Sequence, residues 1–463
     1  MLRSRVCLLA AGTALAVGAA LSPAPARADG AFPDSMRVLV PPDRPQQIML
    51  GTNFGLVVSN DAGAHWHLVC EEAIATGGEY VTQYLMSGPP ADTLYAMSIN
   101  QLSVSDDRGC SWGSAGGLWT DPAFTDIFPD PTNPARVFAL ALVRNAQDFF
   151  VSSLFDSRDG GHRFGAPLFE AGQSVLLTGV ESTASTPQTI YLTEYGNPAG
   201  GVISSLARSS DDGRTFREVS LLDALGMGEA RLAAIDPSDP RVIYYRVLSP
   251  EGADRLAISR DGGDTAQVAL ALKGLMTTFL RRADGTLLVG TAVEGAFVSR
   301  DGGRTFAPLP RAPHLRWLAE RAGVLYAATD NIADKFAVAS SSDDGQTWMP
   351  LLRFENLCGI LDCSPGLRAT CQAAWSRLVD LLGITGCADN PHPADASADG
   401  AADAAAAPKQ SHGCSCRSSG SSGGPFGLLL LASSLVIAAG RDLRRRFPSN
   451  RRMGTLPARW HRL

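Results

Sequence analysis

The chain predicts an all-β fold, a seven-bladed β-propeller, on three observations. One eight-residue pattern, Ser-x-Asp-x-Gly-x-x-aromatic, occurs seven times; successive copies lie 46, 52, 52, 50, 40 and 42 residues apart; and short apolar runs bracket each copy. Such a period suits a four-stranded unit, and seven near-equal units suit a closed ring.

The copies supply the candidate structural residues. They are Ser59, Asp61, Gly63 and Trp66; Ser105, Asp107, Gly109 and Trp112; Ser157, Asp159, Gly161 and Phe164; Ser209, Asp211, Gly213 and Phe216; Ser259, Asp261 and Gly263, with Ala266 replacing the aromatic; Ser299, Asp301, Gly303 and Phe306; and Ser341, Asp343, Gly345 and Trp348. An Asp can accept from backbone amides two residues on, and Gly supplies positive φ, so each copy reads as a hairpin turn with its aromatic packed beneath. A run such as Leu56-Val57-Val58 before the serine is one strand, and the residues after the aromatic are the next. Earlier in each unit a second signal, such as Ile190-Tyr191-Leu192 or Val242-Ile243-Tyr244-Tyr245, follows a breaker-rich turn such as Asp236-Pro-Ser-Asp-Pro240. An apolar stretch before that turn, Arg231 to Ile235 for example, supplies the innermost strand. The ring is expected over residues 29–354.

Both chain ends point outside the cytoplasm. Arg3 and Arg5 precede an apolar stretch from Val6 to Leu21, and Ala26-Arg27-Ala28 offers small residues for cleavage, so residues 1–28 read as a signal peptide that takes Cys7 with it. Residues 390–425, rich in Ala, Asp, Pro, Ser and Gly, read as a disordered stalk. Residues 426–463 open with an apolar run to Gly440, followed by Arg441 and Arg444 to Arg446. Fifteen helical residues rise about 22 Å, short of a bilayer core of about 30 Å. The segment therefore reads as a sorting signal, with an ordinary single-span anchor as the alternative.

The exported chain keeps eight of its nine cysteines. Cys70 and Cys110 suggest a bond between neighbouring blade rims. Cys358, Cys363, Cys371 and Cys387 suggest an internally stapled helical module over residues 355–389, its pairing left open. Zinc is the rival for that group, but no Cys-x-x-Cys knuckle occurs in it. Within it Ser364 is a good N-cap, Pro365 suits the first turn, Leu367, Cys371, Trp375, Leu378 and Leu382 share a face, and Gly383 ends the helix.

Charge excludes some partners. The whole chain carries −6; setting aside +7 from Arg441 onward and +3 from residues 1–28 leaves −16. So acidic a body argues against nucleic acid. The single ring predicts a monomer with no cofactor, its partner a protein or a glycan, and contact with a membrane only through the tail.

The eight-residue pattern resembles the Asp-box, or bacterial neuraminidase repeat, of sialidases, sortilin-type receptors, xyloglucan-cleaving glucanases and a photosystem-assembly factor. That resemblance implies a propeller with the boxes on its rim, away from the ligand. The order Gly413-Cys414-Ser-Cys416, Ser/Gly spacer, apolar run and Arg cluster resembles the MYXO-CTERM tail of myxobacterial surface proteins. It implies processing and attachment at Cys414 or Cys416, and a location at the cell surface or outer membrane of a Gram-negative, myxobacterial cell. The chain departs from a compact tail of that kind: 17 residues follow Arg446, and the spacer is long.

No catalytic residue stands out. The sialidase resemblance would place Arg-Ile-Pro ahead of the first box, where Arg37 is followed by Val38-Leu39 instead. Glu194 and Tyr195, adjacent on a strand, face opposite ways and cannot share one pocket. Glycoside cleavage needs two facing carboxylates, and no spacing selects a pair from Glu71, Glu72, Glu79, Glu181, Glu194, Glu229 and Glu294. The seven histidines, His65 and His162 among them, form no ligand cluster. The expected function is a surface-anchored, non-enzymatic binding module; the alternative is a secreted glycosidase of sialidase or glucanase type.

Overall fold

The computed structural model describes residues 32–76, 81–90, 92–145, 147–249 and 251–387. The expected signal peptide, the stalk, the apolar tail, Cys414, Cys416 and Glu79 lie outside them. Among the described residues no helix is long and apolar enough to cross a membrane.

Seven antiparallel sheets follow one another as a seven-bladed β-propeller, each formed by four consecutive strands. Blade 1 comprises Ser35–Leu39, Ile48–Thr52, Gly55–Ser59 and His67–Cys70. Blade 7 comprises Leu315–Arg321, Val324–Thr329, Val338–Ser341 and Met349–Leu352. The second and third strands are buried almost throughout, because adjacent blades cover both faces of each sheet.

All seven copies of the repeat form the turn between the third and fourth strands. In each, the serine hydroxyl donates to the aspartate at 2.8–2.9 Å and accepts from the glycine N–H at 2.8–2.9 Å. The same aspartate accepts from the backbone N–H four residues on. Gly263 has φ +95°, and a Cβ there would come within 2.1 Å of Leu206 in the preceding blade, so the turn requires glycine twice over.

No strand of blade 7 pairs with blade 1, so side chains and the segment that follows blade 7 close the ring. Arg321, at the end of the inner strand of blade 7, donates to the carbonyls of Pro41, Arg44, Pro45 and Gln47 in blade 1 at 2.7–3.4 Å, and to the Tyr326 hydroxyl. Trp66 of blade 1, fully buried, donates to the Leu351 carbonyl of blade 7 at 3.0 Å.

The cysteines pair differently from the expectation. Cys70 bonds Cys371, Cys110 bonds Cys363, and Cys358 bonds Cys387. Cys70 and Cys110 are not joined to each other, because each meets the segment that returns from blade 7. Nor is that segment an independently stapled unit. Its strand Gly359–Ile360 extends the sheet of blade 1, in parallel with His67–Cys70, and Leu367, Cys371, Ala374 and Leu378 of helix Pro365–Leu382 join the core of blade 1. Trp375 is half-buried against that core. The helix starts at Ser364, whose hydroxyl accepts from Leu367 N–H at 3.0 Å, and ends at left-handed Gly383.

Closure and clasp should separate in urea melts. Arg321→Met is expected to lower stability by about 1–3 kcal/mol, since the Pro45 and Gln47 carbonyls lose their donor while those of Pro41 and Arg44 keep a backbone one. Cys371→Ser is expected to cost about 2–4 kcal/mol by freeing a long loop, and Cys358→Ser less.

Candidate functional site

The register of the sheets places one inner-strand residue of each blade at the same height. Counting three residues on from the partner of each repeat serine and crossing to the inner strand gives Arg37, Gln83, Asp126, Gly179, Arg231, Thr278 and Trp317. A register shift adds a bulged residue just before this height in most blades: Thr125, Thr178 and Thr277 occupy it in blades 3, 4 and 6. Such bulges turn a side chain out of the ladder. Five of the seven equivalent residues and all three threonines line a cavity of about 250 Å³ reached by six of the seven inner strands, so it lies at the hub.

Much of the hub chemistry ties one blade to the next. Asp126 accepts from Val180 N–H at 3.1 Å and Thr278 from Leu318 N–H at 3.1 Å, each across a blade seam. Thr125 donates to the Leu177 carbonyl at 3.3 Å and Thr178 to the Ala230 carbonyl at 3.2 Å. Gly179 has no side chain to continue the series, and Glu181, two residues further on, accepts from the backbone of Ile235 instead.

Electrostatics single out the same place. Burial pushes the Glu181 carboxyl up to about 8, and the charge of Asp126 adds to the rise. Burial raises Asp126 to about 6, against the amides of Val180 and Ile127, the Gln83 side chain and the charge of Arg37. Burial lowers Arg37 to about 10, with Asp126 opposing it. The Arg37 guanidinium lies 4.0 Å over the Trp317 ring. Arg231 and Arg246 complete the charged lining.

Two candidates from the sequence thus meet at the hub. Arg37 is there although the Arg-Ile-Pro pattern is absent, and Glu181 interacts with Asp126, an acid that no spacing in the sequence marked. The signal was available in principle: Thr125-Asp126-Ile127 and Thr277-Thr278-Phe279 sit at equal register, but the bulges hide it from simple alternation. The other acids are dispersed. Glu194 is buried and accepts from Ser205 at 2.8 Å; Glu72 pairs with Arg377, Glu229 with Arg231 and Glu294 with Lys273. His65 and His162 pair with Asp61 and Asp106 at the rim. Among the described residues no three His, Cys, Asp or Glu side chains form a metal-binding group. A larger cavity, about 770 Å³, lies at the repeat end beside the Cys110–Cys363 bond; Asp92 there is already paired with Arg44 and Arg108.

The two ends of the propeller differ. The repeat turns share one end with the loops joining first and second strands, as the bonds Ala62 N–H to Gln46 and Gly160 N–H to Ala135 attest. Among the described residues, nine of the eleven exposed large apolar side chains belong to the opposite end: Phe32, Ile99, Leu118, Phe149, Phe150, Met227, Leu275, Val293 and Ile332. The remaining two, Val268 and Leu381, sit on an outer strand and the clasp helix.

No protein-family model matches the chain, and no curated protein matches it in sequence. Solved structures similar to it include the GH74 xyloglucanase of Xanthomonas campestris, at 17% identity over 68% of this chain and 58% of that one, TM-score 0.39. YCF48 of Cyanidioschyzon merolae matches at 12% identity over 64% and 92%, TM-score 0.43. The extracellular domain of a hybrid two-component system of B. thetaiotaomicron matches at 10% over 64% and 38%, TM-score 0.46. This chain spans little more than half the length of the xyloglucanase.

Glu181 makes a pH dependence. Its folded value lies above the ordinary 4.5, so its cost is absent below that pH and grows as the pH rises towards 8. The protein is expected to be more stable at pH 5.5 than at pH 8, and Glu181→Gln to remove at least about 1.4 kcal/mol of that difference in denaturant titrations.

Proposed function

We propose that this protein is an exported, non-enzymatic binding module displayed at a cell surface, and that its loop end, opposite the repeat turns, receives a protein partner. The supporting observation is the segregation of exposed apolar side chains onto that end. Scattered single residues need no explanation, but nine from all but one of the blades on one end support an interaction surface there. Leu118, Ile99 and the Phe149–Phe150 pair come from adjoining loops: Phe124 N–H donates to the Ile99 carbonyl and Arg144 N–H to that of Thr120. Leu275 and Val293 adjoin likewise through Ala292 N–H to the Leu275 carbonyl. Disulfides to blades 1 and 2 fit an oxidising location, and the tail resemblance supplies the anchor, processed at Cys414 or Cys416.

The alternative, a glycosidase, gains from the Asp126–Glu181 contact. Against it, both carboxylates already accept backbone N–H groups from the next blade, which explains the pair as a seam device.

Photo-crosslinkers placed at Phe149, Val293 and, on the repeat end, Arg304 of the full chain in its native cell separate the ends. Crosslinks to one protein from the first two positions and not the third are expected; equal labelling at both ends, or glycan-only capture, would overturn the assignment of a protein partner. Turnover of a sialoside or β-glucan by the full chain, abolished in both Asp126→Asn and Glu181→Gln, would replace binding with catalysis.

A further inference from the structure

Arg231 and Arg246 face each other directly across the first two strands of blade 5. Like charges at directly opposed ladder positions destabilise a sheet. Other arginines are spent on the seams: Arg282 on Glu320 and Asp344, Arg281 on Asp236, Arg321 on carbonyls. This pair is not. Glu229 holds Arg231 by Nε at 2.5 Å, and Asp254 holds Arg246 by Nε at 2.8 Å and Nη2 at 2.7 Å. Asp254 is fully buried and also accepts from Met276 N–H at 2.8 Å, so Arg246 is fixed from behind. The two Nη groups of Arg231 and Nη1 of Arg246 have no hydrogen-bond partner among the described residues, and both side chains line the hub cavity.

A third donor lines the same cavity. Thr277 is the bulged residue of blade 6, equivalent to Thr125 and Thr178, whose hydroxyls each donate to a carbonyl of the next blade. The Thr277 hydroxyl lines the same cavity, is buried and has no partner. Leaving such a group unsatisfied costs about 1–3 kcal/mol, and the two half-exposed arginines beside it, each held by one carboxylate, keep further donors free. Local rules broken together at one spot are what a binding site looks like.

We propose that Arg231, Arg246 and Thr277 form a site in the hub cavity for one oxyanion group, the carboxylate or phosphate of a small ligand. The planar guanidinium fork suits either group. A volume of about 250 Å³ suits a small molecule. Trp317 and Phe279 offer apolar walls for the rest of the ligand. The site is independent of the loop-end surface and would stand if that reading failed.

The test uses the full chain at low salt, titrated calorimetrically with succinate in one arm and inorganic phosphate in the other. Saturable one-site binding of at least one is expected, and the preferred arm identifies the group. Arg231→Gln is expected to weaken it about 20-fold or more, through lost charge-assisted bonds, and Thr277→Val about fivefold. Arg231 is the choice because its partner Glu229 is not part of the core, and Arg231→Lys, which keeps the charge and loses the fork, checks that a loss is not misfolding. Absence of saturable binding up to about 50 mM in both arms, weaker than any affinity of interest, would overturn the site, as would undiminished binding by Arg231→Gln. Crosslinking at Phe149 is unaffected by either result.

Discussion

The first and last blades share no strand, and the Arg321 guanidinium carries the closure between them, with the returning strand Gly359–Ile360 sealing its outer edge. It gathers four carbonyls of residues 41–47 with no carboxylate in reach of the same hydrogens, so the cation replaces a ladder of backbone bonds with a single hub of donors. Trp66 and the Arg37–Trp317 stack work along the same seam. The other seams repeat the idea with acids: Arg136 with Asp156 and Asp212, Arg282 with Glu320 and Asp344. Blade packing thus depends on buried arginine as much as on aliphatic side chains, and a buried arginine left without its acceptors is costly.

The hub extends this economy inward. At one height the seven inner strands present Arg, Gln, Asp, Gly, Arg, Thr and Trp. A repeat that keeps the turn chemistry identical lets this height vary freely, since the serine, aspartate and glycine at the opposite edge of the blade already fix the hairpin. Asp126 and Thr278 serve the seams, Glu181 substitutes where Gly179 cannot, and Arg231 serves no seam. The sector with surplus donors is therefore defined by subtraction from a regular pattern.

Turn chemistry is local, which is why blades, strand order and the Ser364–Gly383 helix were legible in sequence: each signal involves residues at most a few positions apart. The hub was not legible. Its members lie 39 to 53 residues apart, and a bulged residue in most inner strands breaks the alternation that would have aligned them. Cysteine pairing failed for the same reason on a larger scale. Cys70 and Cys371 are 301 residues apart, and only a ring that returns to its start makes them neighbours. The surface of the loop end was also hidden, since Leu118, Phe149 and Val293 are unremarkable alone and meaningful only once folding puts them on one side.

That return has a mechanical side. Residues 71–370 lie inside a covalent loop closed by Cys70–Cys371, so tension applied between the two ends of the chain passes from one cysteine to the other and leaves six blades outside its path. Only blade 1 and the clasp helix would feel the load. A protein tethered by its tail and pulled through its leading segment would keep blades 2 to 7 folded under a force sufficient to unravel an uncrosslinked chain.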